Sequence, residues 1–127
     1  TTARAEADGK RLQIQQVAEE IREVELNLEA TARGLLIQLK ELEEVLRLND
    51  MQIKSAQRKT QEESKLYQRG RSMLTFVIQS QDGEQSAKLS RAETAATYQK
   101  LYLQYRAVTD KLLENTVPEL APIPGTP

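Results

Sequence analysis

The sequence contains no cysteine, no histidine and no tryptophan among its 127 residues. Without cysteine the chain forms neither a disulfide nor a thiolate metal site, and without histidine it lacks the other common transition-metal ligand. No apolar run approaches the roughly 20 residues of a membrane-spanning helix, and no signal-peptide pattern opens the printed sequence. We therefore expect no metal site, and any leader or membrane anchor of a longer parent protein would lie outside this chain.

Aromatic residues are scarce, at 4% of the chain, and neither sign of charge is in excess. The 18 lysines and arginines are balanced by 19 aspartates and glutamates, which leaves a net charge of −1. A surface for nucleic acid or for an anionic membrane needs a clear basic excess, so the sequence predicts no nucleic-acid partner and no direct membrane contact. A composition rich in Ala, Glu, Lys, Leu, Arg and Gln is typical of long helices and coiled coils.

Proline is confined to the last ten residues, so nothing before them interrupts a helix. From Val17 onward, apolar residues recur at alternating spacings of four and three, the heptad pattern by which one narrow helix face packs against another helix. One extra four-residue step, from Leu35 to Leu39, predicts a stutter that locally unwinds a supercoil. Gly34 lies at this step, where it marks either a close backbone approach or a tolerated surface glycine. The predicted stripe comprises Val17, Ile21, Val24, Leu28, Thr31, Leu35, Leu39, Leu42, Leu46, Asn49, Ile53, Ala56, Thr60, Glu63 and Tyr67.

Gly70 is the strongest helix breaker near the middle of the chain. Because glycine takes a positive φ without a Cβ penalty, it is suited to end one helix and reverse the chain. We expect Ser72 to cap the helix that follows and the reversal to fall within Tyr67–Leu74, which we call the tip. A competing turn pattern surrounds Gly83.

The sequence thus predicts an all-α fold without β-strands, a long antiparallel helical hairpin over residues 1–116. Its descending helix covers about residues 3–69 and its ascending helix about residues 73–115, and residues 117–127 form a Pro-rich extended tail. The ascending helix carries a broad Ala-rich apolar stripe, which predicts contact with more than one neighbour. The descending helix is the longer one, so its first two dozen or so residues lack an intrachain partner. We therefore expect the chain to self-associate or to belong to a larger assembly.

The tip and the residues after it resemble the second periplasmic hairpin tip of the TolC family of outer-membrane efflux proteins. The family pattern is roughly Tyr, two residues, Gly, two residues, Ser or Thr, two residues, Asp, Val-Leu, one residue, Ala-Gln. This chain matches it with Tyr67-x-x-Gly70, then Val77-Ile78 and Ser80-Gln81, and the rhythm of the two helices extends the resemblance over most of residues 10–115. The chain departs from the pattern at two positions, where Met73 replaces the Ser or Thr and Phe76 replaces the Asp.

The resemblance implies a function as well as a fold. In this family each protomer of a trimeric tunnel contributes helical hairpins to a periplasmic α-barrel, and the hairpin tips close the channel and meet a periplasmic adaptor protein. It therefore implies a homotrimer on the periplasmic side of a Gram-negative outer membrane, with no cofactor and no chemical reaction. The tip residues that it implies for partner binding are Tyr67, Arg69, Gly70, Arg71, Ser72, Leu74, Val77 and Ile78.

Other residue groups are better explained by solvation or packing. The acidic pairs Glu62–Glu63 and Asp82–Glu84 have the residue types of acid–base catalysis, but no second catalytic residue type accompanies them, so we expect solvated faces and no enzyme. The tyrosines at positions 98, 102 and 105 favour helix packing over base stacking. The alternative to an export channel is a structural coiled-coil scaffold or adaptor with no channel activity.

Overall fold

The chain forms two long α-helices joined by a short turn. A computed structural model describes residues 1–120, with side chains described for residues 1–114. Helix α1 spans Thr2–Gln68 and helix α2 spans Leu74–Leu120, and residues 1–120 contain no β-strand. Contacts across the two helices show that they pack as an antiparallel hairpin. The predicted all-α hairpin, reversing within Tyr67–Leu74, is therefore confirmed.

Helix α1 ends in a Schellman motif centred on Gly70. Gly70 has a φ of +71°, and its amide N–H donates to the carbonyl of Tyr67 at 2.9 Å. The N–H of Arg71 donates to the carbonyl of Leu66 at 2.8 Å. These bonds satisfy carbonyls that the end of a helix leaves without partners. Since the motif needs a left-handed residue at this position, a single glycine decides where the chain reverses.

The predicted capping role of Ser72 is wrong. Its hydroxyl donates a hydrogen bond to Oε2 of Glu63 at 3.0 Å, and α2 begins two residues later, at Leu74. Met73 precedes the helix, and its carbonyl accepts a hydrogen bond from the amide of Phe76 at 3.1 Å. A carboxylate is a stronger acceptor for a hydroxyl than a neutral group is, so Ser72 connects the turn to α1 instead of capping α2.

Packing divides the chain into two units. The first contains residues 1–36 and the chain from Gln104 onward, and the second contains residues 37–103, including the turn. The best-buried apolar side chains of the second unit are Leu39 on α1 and Val77 on α2, which are 4% and 7% exposed. Less deeply buried residues flank them on each helix at spacings of three and four, which is a heptad seam. They include Leu42, Leu46, Ile53, Ala56, Thr60 and Glu63 on α1, and Glu84, Ala87, Arg91, Thr94, Tyr98 and Leu101 on α2.

Polar contacts also cross the seam of the second unit. Asn49, which is 7% exposed, donates from Nδ2 to Oγ1 of Thr94 at 2.9 Å, and the Thr94 hydroxyl donates in turn to the carbonyl of Ser90 at 3.0 Å. A buried polar pair of this kind favours the one helix register in which its members meet. Two further contacts join Tyr98 to Glu43 and Arg91 to Asp50.

The first unit has a shallower seam and a long exposed segment. Its half-buried residues include Leu28, Ala32 and Leu35 on α1, with Tyr105, Val108 and Leu112 on α2. Residues 1–24 are helical from Thr2 but are exposed throughout. Val17, Ile21 and Val24 are each at least 51% exposed. The apolar stripe predicted there exists on the helix, but no described residue covers it.

The predicted stutter between Leu35 and Leu39 is wrong. Thr31 is exposed, and its hydroxyl donates to the carbonyl of Asn27 at 2.9 Å. Ala32 is half-buried in its place, so Leu28, Ala32, Leu35 and Leu39 continue at the regular spacings of four, three and four. The sequence pattern misled because threonine can satisfy its hydroxyl within its own helix and so remain on the outer surface.

Gly34 and Gly83 both lie inside helices. A Cβ added at either position would meet no atom within 4 Å, so Gly34 is a tolerated surface glycine within this chain. The chain does not reverse at Gly83, because α2 continues through this residue. An isolated glycine weakens a helix without ending it.

The second helix extends further than predicted. It ends at Leu120 rather than near residue 115, so residues 117–120 of the predicted extended tail are helical. Proline fixes φ near the helical value, and a helix can therefore continue through Pro118 with one hydrogen bond fewer. The remainder of the predicted tail, residues 121–127, lies outside the described residues. Within residues 1–120, neither helix contains a segment apolar and long enough to cross a membrane.

The left-handed turn leads to a prediction about three glycines. Replacing Gly70 with Ala should lower the free energy of unfolding by about 1–2 kcal/mol, because an L-residue is disfavoured at positive φ. Gly34→Ala and Gly83→Ala are matched controls, and each should raise it by about 0.5–1 kcal/mol as helix-interior positions. Urea unfolding followed by circular dichroism measures all three. Equal effects at the three positions would contradict the left-handed assignment of Gly70.

The buried polar pair leads to a second prediction. Thr94→Val removes the acceptor of Asn49 and should cost about 1–3 kcal/mol in unfolding free energy, since a buried donor is left unpaired. Adding Asn49→Leu to that variant should recover most of the loss. Thr97→Val is the control, because the Thr97 hydroxyl donates within its own helix, to the carbonyl of Glu93. If Thr94→Val and Thr97→Val cost the same in urea unfolding, the pair across the seam contributes nothing.

The exposed stripe leads to a third prediction. The mass measured by light scattering should rise with protein concentration, because association would cover apolar surface that lies open in a single chain. Replacing Val17, Ile21 and Val24 together with Gln should abolish the rise and leave the helical circular dichroism in place. Glu19→Gln with Arg22→Gln is the control, because it changes exposed polar residues of the same segment at unchanged net charge. A strictly monomeric wild-type chain would contradict the prediction.

A candidate docking surface at the helical turn

The region around the turn exposes several large apolar side chains. Six of them, between 37% and 62% exposed, lie within thirteen residues on both sides of Gly70. Contiguous exposed apolar surface on a protein marks a site of interaction more often than chance exposure does. We call this set the apolar tip cluster: Leu66, Tyr67, Met73, Leu74, Phe76 and Ile78.

The two helices distribute this cluster on both flanks of the turn. Leu74 and Ile78 are four residues apart at the start of α2 and share one helix face. Phe76 lies on another face of α2, and Leu66 lies on α1 before the turn. Apolar side chains therefore lie on both sides of the turn, some on α1 and some at the start of α2.

Positive charge is concentrated at the turn. From Ser64 to Gln81 the chain carries Lys65, Arg69 and Arg71 but no acidic residue. Both arginines are exposed, directly beside Gly70 at the apex. The ion pairs found among the described residues lie elsewhere, between Arg47 and Glu44, Lys88 and Glu84, and Arg91 and Asp50. The two guanidinium groups are thus available to an external acceptor.

The structure separates the predicted tip residues into two groups. Tyr67, Arg69, Gly70, Arg71, Leu74 and Ile78 are exposed around the turn. Ser72 is half-buried, and its hydroxyl is engaged by Glu63. Val77 is only 7% exposed and packs in the seam between the helices. Val77 therefore supports the turn from within, whereas the exposed residues form the surface.

Sequence reasoning missed three members of the apolar tip cluster. Leu66 is not part of the motif, because it precedes Tyr67. Met73 and Phe76 differ from the family pattern, so the motif does not identify them as surface residues. Met73 is the most exposed member, at 62%. The run from Met73 to Ile78 contains more apolar residues than a two-helix seam can cover, so some of them had to be exposed.

Several of the acidic residues and tyrosines that the sequence analysis named have structural partners. Glu63 accepts the Ser72 hydroxyl, and Glu84 pairs with Lys88 at 3.2 Å. The hydrogen bond from Tyr98 to the carboxylate of Glu43 raises the pKa of the Tyr98 phenol, and burial adds to the shift. Among the described residues, no cluster of acidic, histidine or cysteine side chains could hold a metal ion.

Several shallow grooves lie in the first unit. One of about 380 Å³ is lined by Glu25 and Glu29 of α1 with Thr109, Leu112 and Leu113 of α2. It is an open furrow between two helices rather than an enclosed cavity. The Thr109 hydroxyl donates within α2, to the carbonyl oxygens of Tyr105 and Arg106. The docking surface at the turn remains the strongest candidate site.

Comparison with protein-family models, with curated proteins and with solved structures finds no match to this chain. The resemblance to the TolC family therefore stays a prediction that depends on the residues of the tip.

Proposed function

We propose that this chain is a periplasmic coiled-coil segment of a trimeric outer-membrane export channel, whose tip docks to a periplasmic adaptor protein and gates the tunnel. The observation that carries the proposal is the exposed turn. The chain reverses at the glycine of the Tyr67-x-x-Gly70 pattern, with Tyr67 and Leu74 exposed beside it. A hairpin that only braced a scaffold would have no need of an apolar and cationic surface at its end.

The surfaces beside the seam support a role within a larger tube of helices. In the first unit, Val17, Ile21 and Val24 form an exposed stripe on α1. In the second unit, Leu89 and Leu103 lie exposed on α2, with the small residues Ala92 and Ala96 between them. Small residues allow helix backbones to approach closely. Each protomer of a homotrimer would cover such faces with helices of the tube on the periplasmic side of a Gram-negative outer membrane.

In this proposal the chain has no catalytic role and no cofactor. Its tip supplies binding energy through apolar contact and through the guanidinium groups of Arg69 and Arg71. Because docking takes place beside the left-handed Gly70, a small change in the turn alters the position of both helix ends together. The substrate passes along the tunnel and is not chemically changed.

The proposal is tested by disrupting the gene that encodes the chain in its own host. Cells should then accumulate more of a fluorescent efflux dye or secrete less protein, and the wild-type gene should restore export. A copy carrying Gly70→Val should fail to restore it while the protein reaches the outer membrane in normal amount, because a β-branched residue is strongly disfavoured at positive φ.

Gly83→Ala is the matched control and should restore export fully, since Gly83 lies inside α2 with open space around it. Unchanged dye accumulation and secretion after disruption would overturn the channel and favour a coiled-coil scaffold. Restoration by Gly70→Val would remove the turn from the mechanism. Fractionation and cross-linking of the full-length protein in the same strains measure its membrane location and trimeric state.

A further inference from the structure

The turn combines exposed apolar side chains with positive charge. The whole chain has a net charge of −1, yet the segment from Ser64 to Gln81 carries only positive charges. The same segment contains the apolar tip cluster. A partner for this surface must therefore offer apolar area and negative charge together.

The arrangement of the two kinds of residue is specific. Arg69 and Arg71 lie at the apex, one on each side of Gly70, and the apolar residues lie on the helices behind them. Arginine presents a planar fork of donors that matches a carboxylate in a bidentate geometry. Apolar contacts around such a pair exclude water and strengthen it. Charged residues are in general depleted at the centre of a protein–protein contact, but arginine is enriched there.

We infer that the tip binds a protein surface with one or two carboxylates at its centre and apolar side chains around them. The inference rests on the proposed function, for which it specifies the chemistry of the adaptor surface. The central Asp or Glu side chains accept hydrogen bonds from Arg69 and Arg71. The surrounding apolar residues of the partner cover Leu66 on α1 and Met73, Leu74 and Phe76 at the start of α2.

A lipid surface fits the same composition less well. To bring Met73 and Phe76 into the hydrocarbon, the hairpin would insert the apex first, and the apex carries both arginines. Placing a guanidinium in the hydrocarbon region costs at least about 2.5 kcal/mol per residue. Membrane-inserting segments instead place apolar residues foremost and basic residues behind them, at the headgroups.

The experiment places a photo-crosslinking amino acid at the exposed Gln68 of the full-length protein in its own host. Illumination should join it to a protein segment that contains exposed Asp or Glu among apolar residues, identified by mass spectrometry. Arg69→Glu with Arg71→Glu should reduce the crosslinking yield at least about tenfold, because it places like charges in contact. Changing the carboxylates of the crosslinked segment to Lys should restore the yield.

Arg58→Glu with Lys59→Glu is the matched control, since both residues are exposed on α1 away from the turn and the change in net charge is the same. It should leave the yield within about twofold. Met73→Gln with Phe76→Gln should also lower the yield, and circular dichroism of each purified variant should show the helical content of the wild type.

Outcomes that overturn this inference differ from those that overturn the proposed function. If export depends on the gene but Arg69→Glu with Arg71→Glu crosslinks and exports like the wild type, the channel stands and the acidic partner does not. A crosslinked segment without carboxylates has the same meaning. Binding of the purified chain to vesicles of phosphatidylcholine and phosphatidylglycerol, lost in Met73→Gln with Phe76→Gln, would replace the protein partner with a lipid surface.

Discussion

Two helices packed against each other bury only a narrow strip of each, since just two positions in seven face the partner. This geometric limit determines most of what is seen along the chain. In the second unit, Leu39 and Val77 are well covered, whereas Leu48 and Leu89 on outer faces are not. The chain thus carries more apolar surface than its own fold can bury. Contact with other helices or other proteins is the ordinary way to cover such surface.

The narrow seam also explains the polar residues inside it. A seam made only of leucine would tolerate several registers at similar free energy, because one apolar layer resembles the next. The pair of Asn49 and Thr94 meets in one register only, and its hydrogen bond is formed away from most solvent. Such a pair contributes specificity more than stability. A fixed register matters here because it also fixes which apolar residues flank the turn.

The sequence was sufficient for those features that depend on one residue or on a long pattern. The heptads predict α1, the Ala-rich apolar stripe predicts α2, and Gly70 predicts the reversal, because a left-handed residue at a helix end is usually glycine. It was insufficient where two local choices compete. Ser72 can cap a helix or bond to Glu63, and only the approach of α1 decides between them. Thr31 or Ala32 can enter the seam with almost equal spacing, and the packing of the first unit selects Ala32.

The sequence predicted the position of the candidate site but not which residues form its surface. Spacing located the turn and the exposed residues Tyr67, Arg69 and Arg71, yet it gave Val77 the same role, although that side chain is buried. Exposure depends on the rotation of each helix about its axis, which a motif does not encode. It is this rotation that turns Met73 and Phe76 outward beside a cationic apex. Met73 and Phe76 therefore present apolar surface at the two positions where the TolC pattern has a hydroxyl and a carboxylate.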